Sequence, residues 1–240
     1  MRKLDFYLNT ITCGDSYKLI KELPDKSVDC IYTDIPYLYV NGGLGHSEMC
    51  ERTARKKQEL KDISNGIDYS ILDEFKRVLK KVNIFIWCSK MQLLDIMTWG
   101  CEYNTDLLVW CKTNPTPQTN NIWLPDLEYC VYMREYGVKL NDGYDLKSKF
   151  YVSGANKSDK DLFNHPTIKP LELVKRHLLH TTQPNDIVLD CFGGVATTAV
   201  ACKEIGRQFI LMEIERKWCD IGNKRLNNED AHGQISFFAR

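Results

Sequence analysis

No run in this sequence is apolar for long enough to cross a bilayer, and the opening residues MRKLDFYLNTITCGDS lack the apolar stretch of a secretory signal. Cysteine is not scarce, but its pairing patterns are absent: the ten cysteines lie far apart, with no C-x-x-C and no histidine at metal-ligand spacing. That pattern argues against a disulfide scaffold and against a metal site, and the thiols read as small buried apolar groups in a reducing, cytoplasmic compartment. Net charge of one sign is also missing. With 32 basic and 32 acidic residues, global charge argues neither for nor against a polyanionic partner. The G-x-G-x-x-G turn that cradles a dinucleotide pyrophosphate and the G-x-x-x-x-G-K-[ST] phosphate loop do not occur, nor does any internal repeat or low-complexity segment.

What is present is a chain of 240 residues, 43% hydrophobic and 27% charged, long enough to build one large core. Hydrophobic periodicity predicts helices over 16–23, 69–82, 90–100, 171–182, 196–206 and 215–227, and strands over 27–34, 83–89, 106–112, 127–137, 187–192 and 208–214. Alternation of this kind implies an α/β fold: a single Rossmann-like, doubly wound, mostly parallel sheet with helices on both faces, spanning 1–240 as one domain. Residues 38–66 are polar, glycine-punctuated and basic at their centre (ERTARKKQELK, 51–61), which suggests a mobile loop carrying a short helix. Residues 138–164 form a polar stretch, a surface insertion or a small recognition element. A second basic cluster, FKRVLKK (75–81), has the bland reading of a solvated helix face.

Two segments carry chemistry. VLDCFGGVATT (188–198) places Asp190 at the carboxyl end of a strand, Gly193 and Gly194 in the turn, and Thr197 and Thr198 in the first helical turn. Backbone N–H groups and hydroxyls then face a crevice suited to the polar end of a ligand. Glu213, about twenty residues on at the end of the next strand, has the position from which a carboxylate accepts hydrogen bonds from a ribose. An adenosine cofactor without phosphates fits this plan, and S-adenosyl-L-methionine is the common one. The second segment is TDIPY (33–37), where a buried strand ends in an acid, a proline and an aromatic residue.

CGDSYKLIKELPDKSVDCIYTDIPY (13–37), HPTIKPLELVKRHL (165–178) and IVLDCFGGVATTAVACKEIGRQFILMEIERKW (187–218) together resemble the three ordered motifs of the DNA amino-methyltransferases, in the permuted arrangement with the D-P-P-Y-like motif first and the cofactor motif last. The resemblance implies transfer of a methyl group from S-adenosyl-L-methionine to the exocyclic N6 amine of an adenine flipped out of double-stranded DNA, without a metal. Asp34 and the main-chain carbonyl of Ile35 would accept the two amine hydrogens, Pro36 would fix the preceding residue, and Tyr37 would stack on the base. The cofactor would be held by Asp15, Thr167, Lys169, Asp190, Phe192, Gly194, Thr197, Thr198 and Glu213, with Lys169 pairing the cofactor carboxylate. His165, His177 and His180 read as structural, and WCKTNPTP (110–117) resembles a loop near the target strand.

Three positions depart from the family pattern: Ile35 and Cys191 stand where prolines are usual, and Ala196 where a glycine is. A methyl group at 196 costs something if that residue needs a positive φ and nothing if it is simply the first helical residue. The aspartate at 34 favours adenine. N4-cytosine methylation, a catalytically weakened DNA-binding homologue, and transfer to RNA or to a protein amide remain alternatives. DNA contact would come from 38–66 and 138–164. A homodimer and a cognate restriction nuclease, as in restriction-modification systems, are compatible partners.

Overall fold

The structure, a computed structural model, describes residues 3–38, 66–115, 123–154, 163 and 168–227. Its strands are β1 (Thr10–Cys13), β2 (Cys30–Asp34), β3 (Asn83–Cys88), β4 (Asn104–Lys112), β5 (Leu127–Arg134), β6 (Phe150–Ser153), β7 (Ile187–Asp190) and β8 (Gln208–Glu213). The helices are α1 (Lys3–Tyr7), α2 (Ser16–Leu19), α3 (Ile71–Val78), α4 (Leu93–Trp99), α5 (Leu171–Thr181), α6 (Thr197–Glu204) and α7 (Arg216–Leu226). Among the described residues the eight strands join one sheet in the order β1-β8-β7-β2-β3-β5-β4-β6. Only β5 runs against its neighbours, pairing antiparallel with both β3 and β4, while the other pairings are parallel.

Central strands of such a sheet are covered on both faces, and their sequences show it. In NIFIWC (β3) every residue is buried; Ile84 and Ile86 join one core with Phe75 and Val78 of α3, while Phe85 and Trp87 join the other with Leu173 and Leu178 of α5. Helices therefore cover both faces, as the alternation of elements implied. α3 buries Ile71, Leu72, Phe75 and Val78 at helical spacing and leaves its charges outside. Those charges are paired: Lys76 with Glu102, Arg77 with Asp25 and Glu74, and Lys80 with Asp29. In the cluster 75–81, Lys76 and Arg77 on the helix and Lys80 just past its end are thus balanced by acids.

Two strands, β1 and β6, and the five-residue α1 lie outside the pattern legible in the sequence. β1 and β6 are four residues each and form the two outer edges of the sheet, β6 within the polar stretch 138–164. The helix expected over 16–23 is α2 followed by a 3₁₀ turn, Ile20–Glu22, ahead of Pro24.

Candidate active site

Parallel strands end on a common edge of the sheet, and here that edge gathers the singled-out residues. β2 lies between β7 and β3, so Asp34 and Asp190 close adjacent strands, and the Thr33 hydroxyl reaches the Asp190 carboxylate at 3.1 Å. β8 lies beyond β7 and β1 beyond β8, with Cys13 opposite Glu213. The Gly14 N–H donates to the Glu213 carbonyl at 2.8 Å, which sets Asp15 beside the end of β8. The two ends of the chain thus share one rim.

The segment after β2 is anchored from three sides. The Ile35 side chain is buried in the core and its N–H donates to the Trp87 carbonyl at 3.1 Å, a bond that a proline could not make. The fixity a proline ring would give is supplied instead by packing and by this continuation of the β2–β3 ladder. Beyond it, the fully buried amide of Gln92 works as a clamp. Its Nε2 donates to the Pro36 carbonyl at 3.0 Å, and its Oε1 accepts from the Leu38 N–H at 3.2 Å and the Ser89 N–H at 3.0 Å. Tyr37 sits between the clamped residues, half-buried, its hydroxyl 3.3 Å from a Glu128 oxygen.

Below Tyr37 runs an alternating chain of charges. Lys169 Nζ lies 2.6 Å from Asp34 Oδ2, 2.9 Å from Glu128 Oε2 and 3.2 Å from the Tyr37 hydroxyl. Glu128 Oε1 in turn meets Lys112 Nζ at 2.5 Å. An ammonium group has three N–H donors, and those of Lys169 face Asp34, Glu128 and Tyr37. Burial alone would strip Lys169 of its proton, but Asp34 and Glu128 raise its pKa. Desolvation likewise opposes the charge on Glu128, yet Lys169 and Lys112 hold that carboxyl down at about 2. For Asp34 desolvation wins, and its pKa is raised despite Lys169. Its Oδ1 is buried and has no hydrogen-bond partner among the described residues.

Beside it on the rim lies the β7–α6 turn. Asp190 is buried and acts as the organiser of that turn: Oδ1 accepts from Thr33 and from the Phe192 N–H at 3.1 Å, and Oδ2 from the Thr198 hydroxyl at 2.7 Å. Desolvation lifts its carboxyl to about 7. Thr197 accepts from Arg225 at 2.7 Å, so of the two hydroxyls of the first helical turn Thr198 donates to Asp190 and Thr197 accepts from Arg225. Glu213 accepts from the Gly194 N–H at 2.7 Å and from the Glu215 N–H at 2.8 Å, and burial raises its pKa. Asp15 caps α2 through the Tyr17 N–H at 3.0 Å, and Phe192 meets the Tyr17 ring edge-on. The Ser16 hydroxyl donates to the Cys191 carbonyl, tying α2 to the turn.

Two features of this turn are steric. A Cβ on Gly193 would come within 2.1 Å of Leu211. Ala196 adopts φ 63°, so the position does need the left-handed conformation that costs an alanine about 1 kcal/mol or more. Its methyl group is buried, and Gly222 of α7 makes room for it: a Cβ at 222 would lie 3.1 Å from that of Ala196.

Thr167, His165 and the basic segment 51–61 lie outside the described residues. His177 is buried, stacked on Phe85 and held by burial at about 3, consistent with packing. Sequence reasoning missed Glu128 and Gln92. The signal for Glu128 was a lone acid in the apolar strand LEYCVYM; Gln92, between helix-forming residues, gave none.

Residues 28–224 match the family model N6_N4_Mtase, described as DNA methylase. Type II methyltransferase M2.LlaDCHI of Lactococcus lactis subsp. cremoris is 29% identical, over 92% of this chain and 90% of its own. Type II methyltransferase M2.DpnII of Streptococcus pneumoniae is 29% identical over 90% and 89%. Among solved structures, the M1.HpyAVI-SAM complex superposes with a TM-score of 0.68 at 26% identity, covering 91% of this chain and 98% of that one.

Proposed function

Since the chain belongs to the DNA methylase family of the N6/N4 type, we propose that it methylates the exocyclic N6 amine of adenine in DNA, with Asp34 as the acceptor that prepares the nitrogen. The observation that carries this reading is the buried, unpartnered Oδ1 of Asp34 at the rim it shares with the Gly193–Gly194 turn and Glu213. A buried carboxylate oxygen without a donor costs about 1–3 kcal/mol or more, a cost that a ligand N–H would remove.

The methyl donor is S-adenosyl-L-methionine, which when bound supplies a methyl group on a sulfonium whose departure leaves a neutral thioether. The residues present fit it. Asp15, Phe192, the Gly194 turn and Glu213 line one side of the rim, and the Glu213 carboxylate, with each oxygen already accepting one N–H, keeps lone pairs for a ribose diol. An adenine amine is a weak nucleophile because its lone pair is delocalised into the ring. Asp34 Oδ1 and the Ile35 carbonyl, as fixed acceptors of its two hydrogens, draw that pair out of conjugation. As the nitrogen forms its new bond to carbon it becomes cationic and gives up one hydrogen as a proton, whose acceptance we assign to Asp34 Oδ1 as the carboxylate oxygen without a partner among the described residues. Tyr37, clamped by Gln92 through its neighbours, offers a ring face on which the flipped base stacks, worth about 1–3 kcal/mol.

Purified protein incubated with mixed-sequence DNA and methyl-labelled cofactor, followed by digestion to nucleosides, is expected to place label on the N6 of deoxyadenosine. Label on the cytosine N4 would overturn the adenine assignment, and absence of label the enzymatic one. RNA and a protein amide substrate run beside DNA test the choice of polymer.

A further inference from the structure

The role of Lys169 follows from the donors it spends. Its ammonium is nine-tenths buried and holds Asp34 Oδ2, Glu128 Oε2 and the Tyr37 hydroxyl at once, with the rings of Trp87 and Tyr37 at 5.0 and 5.5 Å. Glu128 is itself anchored from the far side by Lys112, which lies over the Trp110 ring at 5.1 Å. The result is a four-residue chain drawn from β2, the segment before α5, β5 and β4, and its only carboxylate oxygen without a partner among the described residues is Asp34 Oδ1.

We propose that Lys169, held in place by Glu128, is a positioning residue for methyl transfer: by occupying Oδ2 it keeps the Asp34 carboxylate ionised and turns Oδ1 to the target amine. This rests on the reading of Asp34 given above and assigns the lysine to the acceptor rather than to the cofactor. Among the described residues the groups that face Asp34 are Lys169, Tyr37 and Glu128, with Asp190 on β7, Cys88 on β3 and Cys130 on β5. Lys169 is the one cation among them. Glu128 and Asp190 favour the protonated acid, the thiols are neutral and the Tyr37 hydroxyl adds a hydrogen bond that favours the carboxylate, so removing Lys169 leaves burial and two carboxylates with no opposing charge. Removing the charge of Glu128 does the reverse, since it takes a negative neighbour away from Asp34 while the ammonium remains. The two substitutions should therefore move Asp34 in opposite directions, which loss of packing would not do.

The test is an NMR titration of the Asp34 side-chain carbon in selectively labelled wild type, Lys169→Met and Glu128→Gln, with single-turnover methylation of DNA against pH and calorimetric cofactor binding beside it. Lys169→Met is expected to raise the Asp34 midpoint by about 1–3 pH units, to shift the acid limb of the rate profile by the same amount, and to leave cofactor affinity within about twofold of wild type, the spread a positioning role permits. Glu128→Gln is expected to lower the midpoint. An unchanged midpoint in Lys169→Met, or cofactor binding weakened about tenfold with the midpoint fixed, would overturn the proposal and return the lysine to the cofactor. Should Lys169→Met fail to fold, the sign of the Glu128→Gln shift decides. Should the wild type methylate no amine in DNA, the reading of the reaction fails while the titration still judges the role of Lys169.

Discussion

At the scale of single residues, the sharpest claim concerns Asp34. Asp34→Ala removes the acceptor but leaves the Gly194–Glu213 contacts untouched, so single-turnover transfer is expected to fall by about 100–1000-fold while calorimetric cofactor affinity stays near wild type. Equal losses in both would move Asp34 to the cofactor side. Ile35 leads to a less intuitive expectation. Restoring the family's proline removes a buried N–H donor to Trp87 and a buried side chain, so Ile35→Pro should lower stability by at least about 1 kcal/mol in urea unfolding. A gain would mean that ring rigidity outweighs the ladder bond. Asp34 was legible because an acid, a proline and an aromatic residue end an apolar strand together. Glu128 was not, because an acid in a strand looks like an outward position until its partners are known, and these come from β4 and from the segment before α5.

At the scale of elements, the β7–α6 turn is fixed by how closely it lies on β8. Gly193→Ala drives a methyl into Leu211, a fully buried strand residue with nowhere to move, and is expected to cost about 1–3 kcal/mol or more. Leu211→Ala alone should cost about 2–5 kcal/mol. The double variant, in which the added methyl enters the space vacated, should be no less stable than Leu211→Ala; additive losses in chemical denaturation would show that the glycine is required for its conformation instead. The same closeness explains what could be read beforehand. Central strands and the helices on them bury both faces or one full stripe, which writes itself into the sequence as apolar runs and 3.6-residue periodicity. The edge strands β1 and β6 are short and paired on one side only, so they leave little such pattern. The positive φ of Ala196 was invisible because the residue there is not glycine; Gly222, three elements of structure later, carries the compensating space.

At the scale of the molecule, two balances of charge decide behaviour in solution. The basic cluster at the end of α3, Lys76, Arg77 and Lys80, is neutralised by Glu102, Asp25, Glu74 and Asp29 and lies by the amino ends of β2 and β3, away from the rim. Lys76→Ala and Lys80→Ala should therefore leave DNA affinity within about twofold of wild type, whereas wild-type binding itself should weaken steeply with salt through the phosphate contacts. Fluorescence titrations at several salt concentrations measure both, and a large loss in either variant would place DNA on the opposite face. The second balance lies in the core and concerns protons. Asp190 is held up at about 7 by desolvation, so the folded state binds a proton there that the unfolded state has released. That contribution is complete below about pH 4 and is lost as the pH rises through 7. His177 is held down at about 3, again by desolvation, so the unfolded state takes up a proton that the fold excludes, and stability falls as the pH drops from about 6.5 towards 3. Between about pH 4 and 6.5 the two slopes oppose one another. Asp190→Asn keeps an acceptor for Thr33 and the Phe192 N–H but cannot titrate, so against wild type its stability should rise with pH across that window by about 1.4 kcal/mol per unit. His177→Phe should show the opposite difference, falling with pH by a similar amount over the same range. Urea unfolding at half-unit steps resolves both, and slopes of the same sign in the two variants would mean that one of these buried groups keeps its ordinary protonation inside the fold.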